Sequence, residues 1–99
     1  MTVLHLLMRR WAPDVLLALD GGPRNFNRLL EIPGISDRVL TCRLRELEDE
    51  HLISRDVLAG PPVRVRYGLT GAGRRLVAPL QQLLAVASTT GLEEVAAAS

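Results

Sequence analysis

The stretch "PGISDRVLTCRLRELEDEHLI", residues 33–53, decides the fold. Ser36 is a good N-cap, and Leu40, Leu44 and Leu47 recur at helical spacing, so a helix is expected from Ser36 to about Glu50. Its front half carries Arg38, Arg43 and Arg45; its back half carries Glu46, Glu48, Asp49 and Glu50. The helix dipole favours the opposite order, with anions at the N-terminus and cations at the C-terminus. Something other than helix stability has placed the arginines at the front, and a polyanion docked at that end would account for them.

At roughly 100° per residue, Leu40, Leu44 and Leu47 fall on one buried face. Opposite them lie Arg38, Thr41, Cys42 and Arg45, with Arg43 on a flank. Just upstream, "NRLLEI" reads as a short helix capped by Asn27 and ended by "PG" at 33–34. A short helix, a tight turn and a second helix with an exposed donor face form a helix-turn-helix, whose second helix enters the DNA major groove N-terminus first. That docking keeps the acidic back half away from the phosphates.

Further outward, "TVLHLLMRRW" and "PDVLLALD" read as two more helices, and Pro13 suits the first turn of the second. Downstream, "ISRDVL" and "VRVRYGL" flank "AGPP" and form a half-buried hairpin. There Val63, Val65 and Tyr67 should face inward, and Arg64 and Arg66 outward. A hairpin after a recognition helix is a wing, and its two arginines suit a phosphate backbone or a minor groove. Thr70 should cap a last helix with an apolar stripe of Leu76, Val77, Leu80, Leu83 and Leu84, which Pro79 kinks or restarts. The tail "LEEVAAAS" is either helical or frayed.

Composition limits the alternatives. Ninety-nine residues make one domain, yet 47% are hydrophobic, more than one small core should need, so part of this surplus belongs at a subunit interface. All 12 basic residues are arginine; a GC-rich genome is the simpler explanation, and bidentate recognition the other. Net charge is only +1, so affinity for nucleic acid must come from local charge segregation. A single cysteine excludes an internal disulfide framework and fits a cytoplasmic location. No membrane span and no secretory leader is expected. His5 and His51 lack further ligands or a nucleophile partner, so no metal, cofactor or catalytic residue is expected and the chain does not read as an enzyme.

The residues "RWAPDVLL", "GPRNFNRL", "PGISDRVLTCRLRELE", "PPVRVRYGLT" and Gly73-Arg74 together resemble the HxlR family of bacterial winged-helix transcriptional regulators, over about residues 4–88. The resemblance implies a mainly α chain with a small β-hairpin, dimerising through terminal helices, with a DNA-binding core at 12–70 and dimerisation helices and tail at 1–11 and 71–99. It implies a homodimer on an inverted-repeat operator, with residues 36–50 in the major groove and the wing, 59–66, on the backbone or minor groove. The expected DNA-binding residues are Ser36, Arg38, Thr41, Cys42, Arg43, Arg45, Arg64 and Arg66. Arg24 and Arg28 fit phosphate contacts and surface solubility equally well.

This chain departs from the family pattern in four places. It has no cysteine upstream of Arg10-Trp11; Asp37 follows Ser36 where proline is usual; Cys42 replaces a longer polar residue; and His51 stands where glycine is expected. A residue at position 51 should adopt a left-handed conformation to end the helix. Trp11, Phe26 and Tyr67 are core residues or the lining of a pocket for a small-molecule effector. Cys42, between arginines on an exposed face, is either a small residue tolerated in the groove or a redox-sensitive thiol. The alternative function is a winged-helix module that has lost DNA binding and serves in small-molecule or protein interaction.

Overall fold

Residues 2–90 are described by a computed structural model, with side chains through residue 87. The order of elements is α1 (Val3–Leu7), α2 (Ala12–Ala18), α3 (Phe26–Leu29), α4 (Asp37–Asp49), β1 (Ile53–Leu58), β2 (Arg64–Leu69) and α5 (Gly71–Thr90). The tail "LEEVAAAS" lies outside the described residues.

Each boundary has a local chemical cause. Thr2 caps α1, its hydroxyl accepting from the His5 amide at 3.2 Å. Ser36 caps α4, accepting from the Val39 amide at 3.2 Å. The cap of α3 is Asn25, whose side chain accepts from the Arg28 amide at 2.9 Å, and not the expected Asn27. The helix starts two residues earlier because "NFNR" offers two asparagines, and the first leaves Phe26 in position to face the hairpin. Helix α1 likewise stops at Leu7 and does not reach Trp11. Trp11 instead precedes α2 in a left-handed conformation, φ 79°, with Pro13 in the first turn as expected. The Arg10 guanidinium stacks 4.7 Å from the Trp11 ring centre.

Helix α4 ends by the left-handed device anticipated at position 51. His51 has φ 58°, its amide donates to the Glu48 carbonyl, and the Leu52 amide reaches back to the Leu47 carbonyl at 2.9 Å. That five-residue return is a Schellman closure with histidine in the glycine place. The Thr70 hydroxyl then donates to the His51 carbonyl at 2.7 Å while accepting from the Gly73 amide at 3.1 Å. One side chain thus caps α5 and ties it to the end of α4. The close approach also fixes Gly73, where a Cβ would sit 2.1 Å from the Leu52 carbonyl oxygen.

Strands β1 and β2 pair antiparallel, with Ile53 opposite Leu69, Arg55 opposite Tyr67 and Leu58 opposite Arg64. Val65 and Tyr67 are half-buried while Arg64 and Arg66 are exposed, so the expected alternation holds inside β2. Val63 breaks it: it lies in the tip, outside the strand, and is 68% exposed. Arg24 adds a third, single-residue rung, exchanging backbone hydrogen bonds with Tyr67 at 2.9 and 2.8 Å. One rung carries no alternation, so the sequence reading missed it.

The core gathers Leu6 from α1, Ala12, Val15 and Leu16 from α2, Leu29 from α3, Leu40, Leu44 and Leu47 from α4, Ile53 from β1 and Leu80 from α5. Each fully buried leucine stabilises the fold by about 1.5–3 kcal/mol relative to leaving it in water. The α5 stripe divides. Val77 and Leu80 are buried, whereas Leu83 is 61% and Leu84 40% exposed. Of the two outcomes expected at Pro79, a restart is not seen: α5 is one helix through it. Pro79 is exposed and borders an apolar groove with Leu4, Met8 and Leu83.

Candidate nucleic-acid interface

Helices α3 and α4 form the helix-turn-helix, joined by a turn in which Gly34 has φ 87°. A Cβ on Gly34 would lie 3.1 Å from the edge of the Trp11 ring, so the turn is packed from beneath by that indole. With Leu40, Leu44 and Leu47 buried at 0–2% exposure, the rotation of α4 about its own axis is fixed. Arg38, Thr41, Cys42 and Arg45 are therefore all exposed on the outer face, as the helical spacing requires. Ser36 and Asp37, at the N-terminal end, are exposed with them.

Chemistry differs along this face. Arg38 and Arg45 have no ion-pair partner among the described residues, leaving both forks of donors available. The Thr41 hydroxyl already donates to the Asp37 carbonyl at 2.8 Å, so toward an outside ligand it acts as an acceptor or presents its methyl group. Cys42 is a free, exposed thiol.

Arg43 does not belong to this set. Its Nε donates to the Arg10 carbonyl at 2.9 Å and its Nη1 is paired with Glu46 Oε1, leaving the side chain 16% exposed. Arg9 approaches the same carboxylate oxygen at 3.6 Å. Arg43, expected among the DNA-binding residues, is engaged within the fold: position 43 faces the α1–α2 turn, where the Arg10 carbonyl and Glu46 hold it. Glu46, read from the sequence only as part of an acidic back half, is the counter-ion of this clamp.

The wing arginines border a cleft of about 590 Å³ between the N-terminal end of α3 and the hairpin, lined by Arg24, Phe26, Arg28, Leu58, Arg64 and Arg66 among others. Arg28 pairs loosely with Glu31 at 3.3 Å, both side chains being 64% exposed. Arg24 folds back to donate to the Pro23 carbonyl at 3.2 Å. A second cleft, about 340 Å³, separates α4 from the other face of the hairpin and is lined by Phe26, Thr41, Arg45 and Tyr67 among others. Phe26 lines both, so the basic rim of the wing and the outer face of α4 meet across one aromatic side chain. Of the three aromatic residues, Phe26 and Tyr67 share the second cleft, whereas Trp11 packs under the Gly34 turn and lines neither of these two clefts.

Among the described residues no group of histidine, cysteine, aspartate and glutamate side chains has metal-binding geometry, and no helix is long and apolar enough to cross a membrane.

A helix-turn-helix followed by a two-stranded wing, with an arginine-bearing outer face on the second helix, defines a winged helix-turn-helix protein. The chain belongs to the HxlR-like helix-turn-helix family, whose model matches residues 6–94. It is 44% identical over 75 residues to the HTH-type transcriptional regulator sll1512 of Synechocystis, covering 75% of this chain and 56% of that protein. It is 41% identical over 81 residues to the HTH-type transcriptional regulator YodB of Bacillus subtilis, covering 81% of this chain and 72% of that protein. The reduced form of YodB superposes with a TM-score of 0.77 at 40% identity, covering 85% of this chain and 83% of that one. A possible HxlR family transcriptional factor from Thermoplasma volcanium superposes with a TM-score of 0.78 at 32% identity, covering 92% of this chain and 83% of that one. The chain spans from about half to three quarters of the length of these curated relatives. The relatives are transcriptional regulators, not enzymes.

Proposed function

We propose that this chain is a sequence-specific, DNA-binding transcriptional regulator that acts as a homodimer on an inverted-repeat operator. The single observation that carries this reading is the outer face of α4, where Arg38, Thr41, Cys42 and Arg45 stand exposed behind a capped N-terminus at Ser36. Arg38 and Arg45 read base edges, Thr41 and Cys42 fit against them, and Ser36 lies at the entry to the groove. Arg64 and Arg66 bind the backbone or the minor groove beside it.

The dimer reading rests on surface that one copy leaves uncovered. Leu4 and Met8 of the α1 region and Leu83 and Leu84 of α5 are 40–75% exposed and border one apolar groove with Pro13 and Leu76. A contiguous patch of this kind is an association surface. A second copy, related by a twofold axis through these terminal helices, covers the patch and sets two α4 helices about 34 Å apart, one turn of DNA. Residues 12–70 then form the DNA-binding core, and the flanking segments form the dimer.

The test is an electrophoretic titration on duplex DNA carrying the inverted repeat found beside the gene, at several salt concentrations. The expected result is specific binding whose affinity falls by orders of magnitude between about 50 and about 200 mM salt, as phosphate contacts release counterions. Binding that is absent or insensitive to salt would overturn the proposal in favour of a winged-helix module for protein or small-molecule interaction.

A further inference from the structure

One anion stands at the end of α4 that the proposed docking sends first into the groove. Asp37 is the first residue of the helix and is exposed beside Arg38 and Thr41. At roughly 100° per residue it lies about 40° from Thr41 and about 80° from Arg45, so the three form one row along the helix. A carboxylate in the first turn suits the helix dipole, which is the simplest reason for an aspartate here. The hydrogen bonds of that turn do not use it, however. The Ser36 hydroxyl accepts from the Val39 amide at 3.2 Å, and Asp37 contributes only its backbone carbonyl, which accepts from the Thr41 hydroxyl at 2.8 Å. Its carboxylate has no ion-pair or hydrogen-bond partner among the described residues.

Against DNA, an unpaired carboxylate is repelled by phosphates and pays for lost water in the groove. It accepts hydrogen bonds and donates none. In the major groove guanine shows N7 and O6 and thymine shows O4, all acceptors, whereas cytosine shows an N4 amino donor. A carboxylate is therefore satisfied at cytosine and left unpaired, facing like charge, at guanine or thymine. Such a group discriminates mainly by penalising the wrong base, because a desolvated charge without a partner costs more than one hydrogen bond returns.

We infer that Asp37 is a specificity-determining residue that selects cytosine at one position of each operator half-site, its carboxylate accepting from the N4 amino group. The inference rests on the DNA-binding reading and adds to it the acceptor that Arg38 and Arg45 cannot supply. The row from Asp37 through Thr41 to Arg45 then changes from acceptor to donor along the helix. Asp37 weakens binding to DNA in general, through its charge, and sharpens the choice of sequence.

The experiment is binding-site selection from a randomised duplex library, run in parallel on the parent chain, Asp37→Asn and Asp37→Ala. The parent should enrich cytosine in one column of each half-site. Asp37→Asn should move that column to adenine, whose N6 and N7 match a side-chain amide, and Asp37→Ala should leave it without preference. Titration against single-base variants should put the parent's preference for cytosine at about tenfold or more, lost in Asp37→Ala. Both variants should bind unrelated duplex more tightly, since one repulsive charge is gone. Asparagine has the shape of aspartate and the Ser36 cap is untouched, so the variants should fold, and thermal melts verify it. A lower melting temperature with an unchanged cytosine column would assign Asp37 to the helix dipole and overturn the inference. A parent without a cytosine column would overturn it too, and either result leaves the DNA-binding reading standing. Failure of the parent to enrich any sequence would overturn that reading, and the inference with it.

Discussion

At the scale of single residues, similar side chains a few positions apart do different work, and burial separates them. Arg38 and Arg43 both lie in the basic half of α4, but Arg38 is exposed and without an ion-pair partner while Arg43 is clamped to Glu46 and the Arg10 carbonyl. Arg38→Ala is expected to weaken operator binding by about 1–3 kcal/mol and to relax discrimination at one base pair, measured by titration against operator variants. Arg43→Ala should instead lower stability by about 1–3 kcal/mol, because it leaves a poorly exposed carboxylate and a carbonyl without their strongest donor; thermal unfolding reads this directly. His51 carries the opposite prospect. Its left-handed backbone is costly for any residue with a Cβ, so His51→Gly should raise stability by about 0.4–1 kcal/mol. In a domain of this size that is a few degrees of melting temperature, about 4–8 °C per kcal/mol, and a lower value would refute the assignment.

At the scale of elements, the wing and α4 are joined through the middle of the fold. Arg24 ties the segment before α3 to β2, Phe26 lines the clefts on both sides, and Thr70 fixes the end of α4 to the start of α5. The hairpin is therefore held at its base, while its arginines remain exposed along β2. Arg64→Ala should weaken binding to all DNA sequences alike and reduce the slope of log affinity against log salt by about one, the signature of one lost phosphate contact. A change of sequence preference with an unchanged slope would assign Arg64 to base reading instead.

At the scale of the whole molecule, the unfinished feature is the apolar groove between α1 and α5. Leu83→Glu places a charge where a single copy exposes the side chain, so the monomer should fold; in the proposed dimer the same charge would be buried without a partner. Light scattering should then report a halved mass, and operator affinity should fall by at least about 100-fold as the second half-site is lost. A dimer of unchanged mass would move the interface elsewhere. The clamp of Arg9 and Arg43 on Glu46 joins the turn after α1 to α4, and so links the groove side of the molecule to the helix proposed to enter DNA.

The sequence alone determined whatever depends on spacing along one element. Leucines at helical intervals set which side of α4 is buried, and so which side shows Arg38, Thr41, Cys42 and Arg45; alternation in β2 set Val65 and Tyr67 against Arg64 and Arg66. The glycine-like position of His51 was legible through the family resemblance, because ending a helix in that way is a local backbone requirement that the pattern records. Tertiary structure decided what depends on meetings between distant segments. It turned Arg43 toward a carbonyl 33 residues away, paired Arg24 with Tyr67, parted Trp11 from Phe26, and left Leu83 and Leu84 uncovered. Periodicity records the direction in which a side chain leaves its own element, whereas only packing determines which partner stands there.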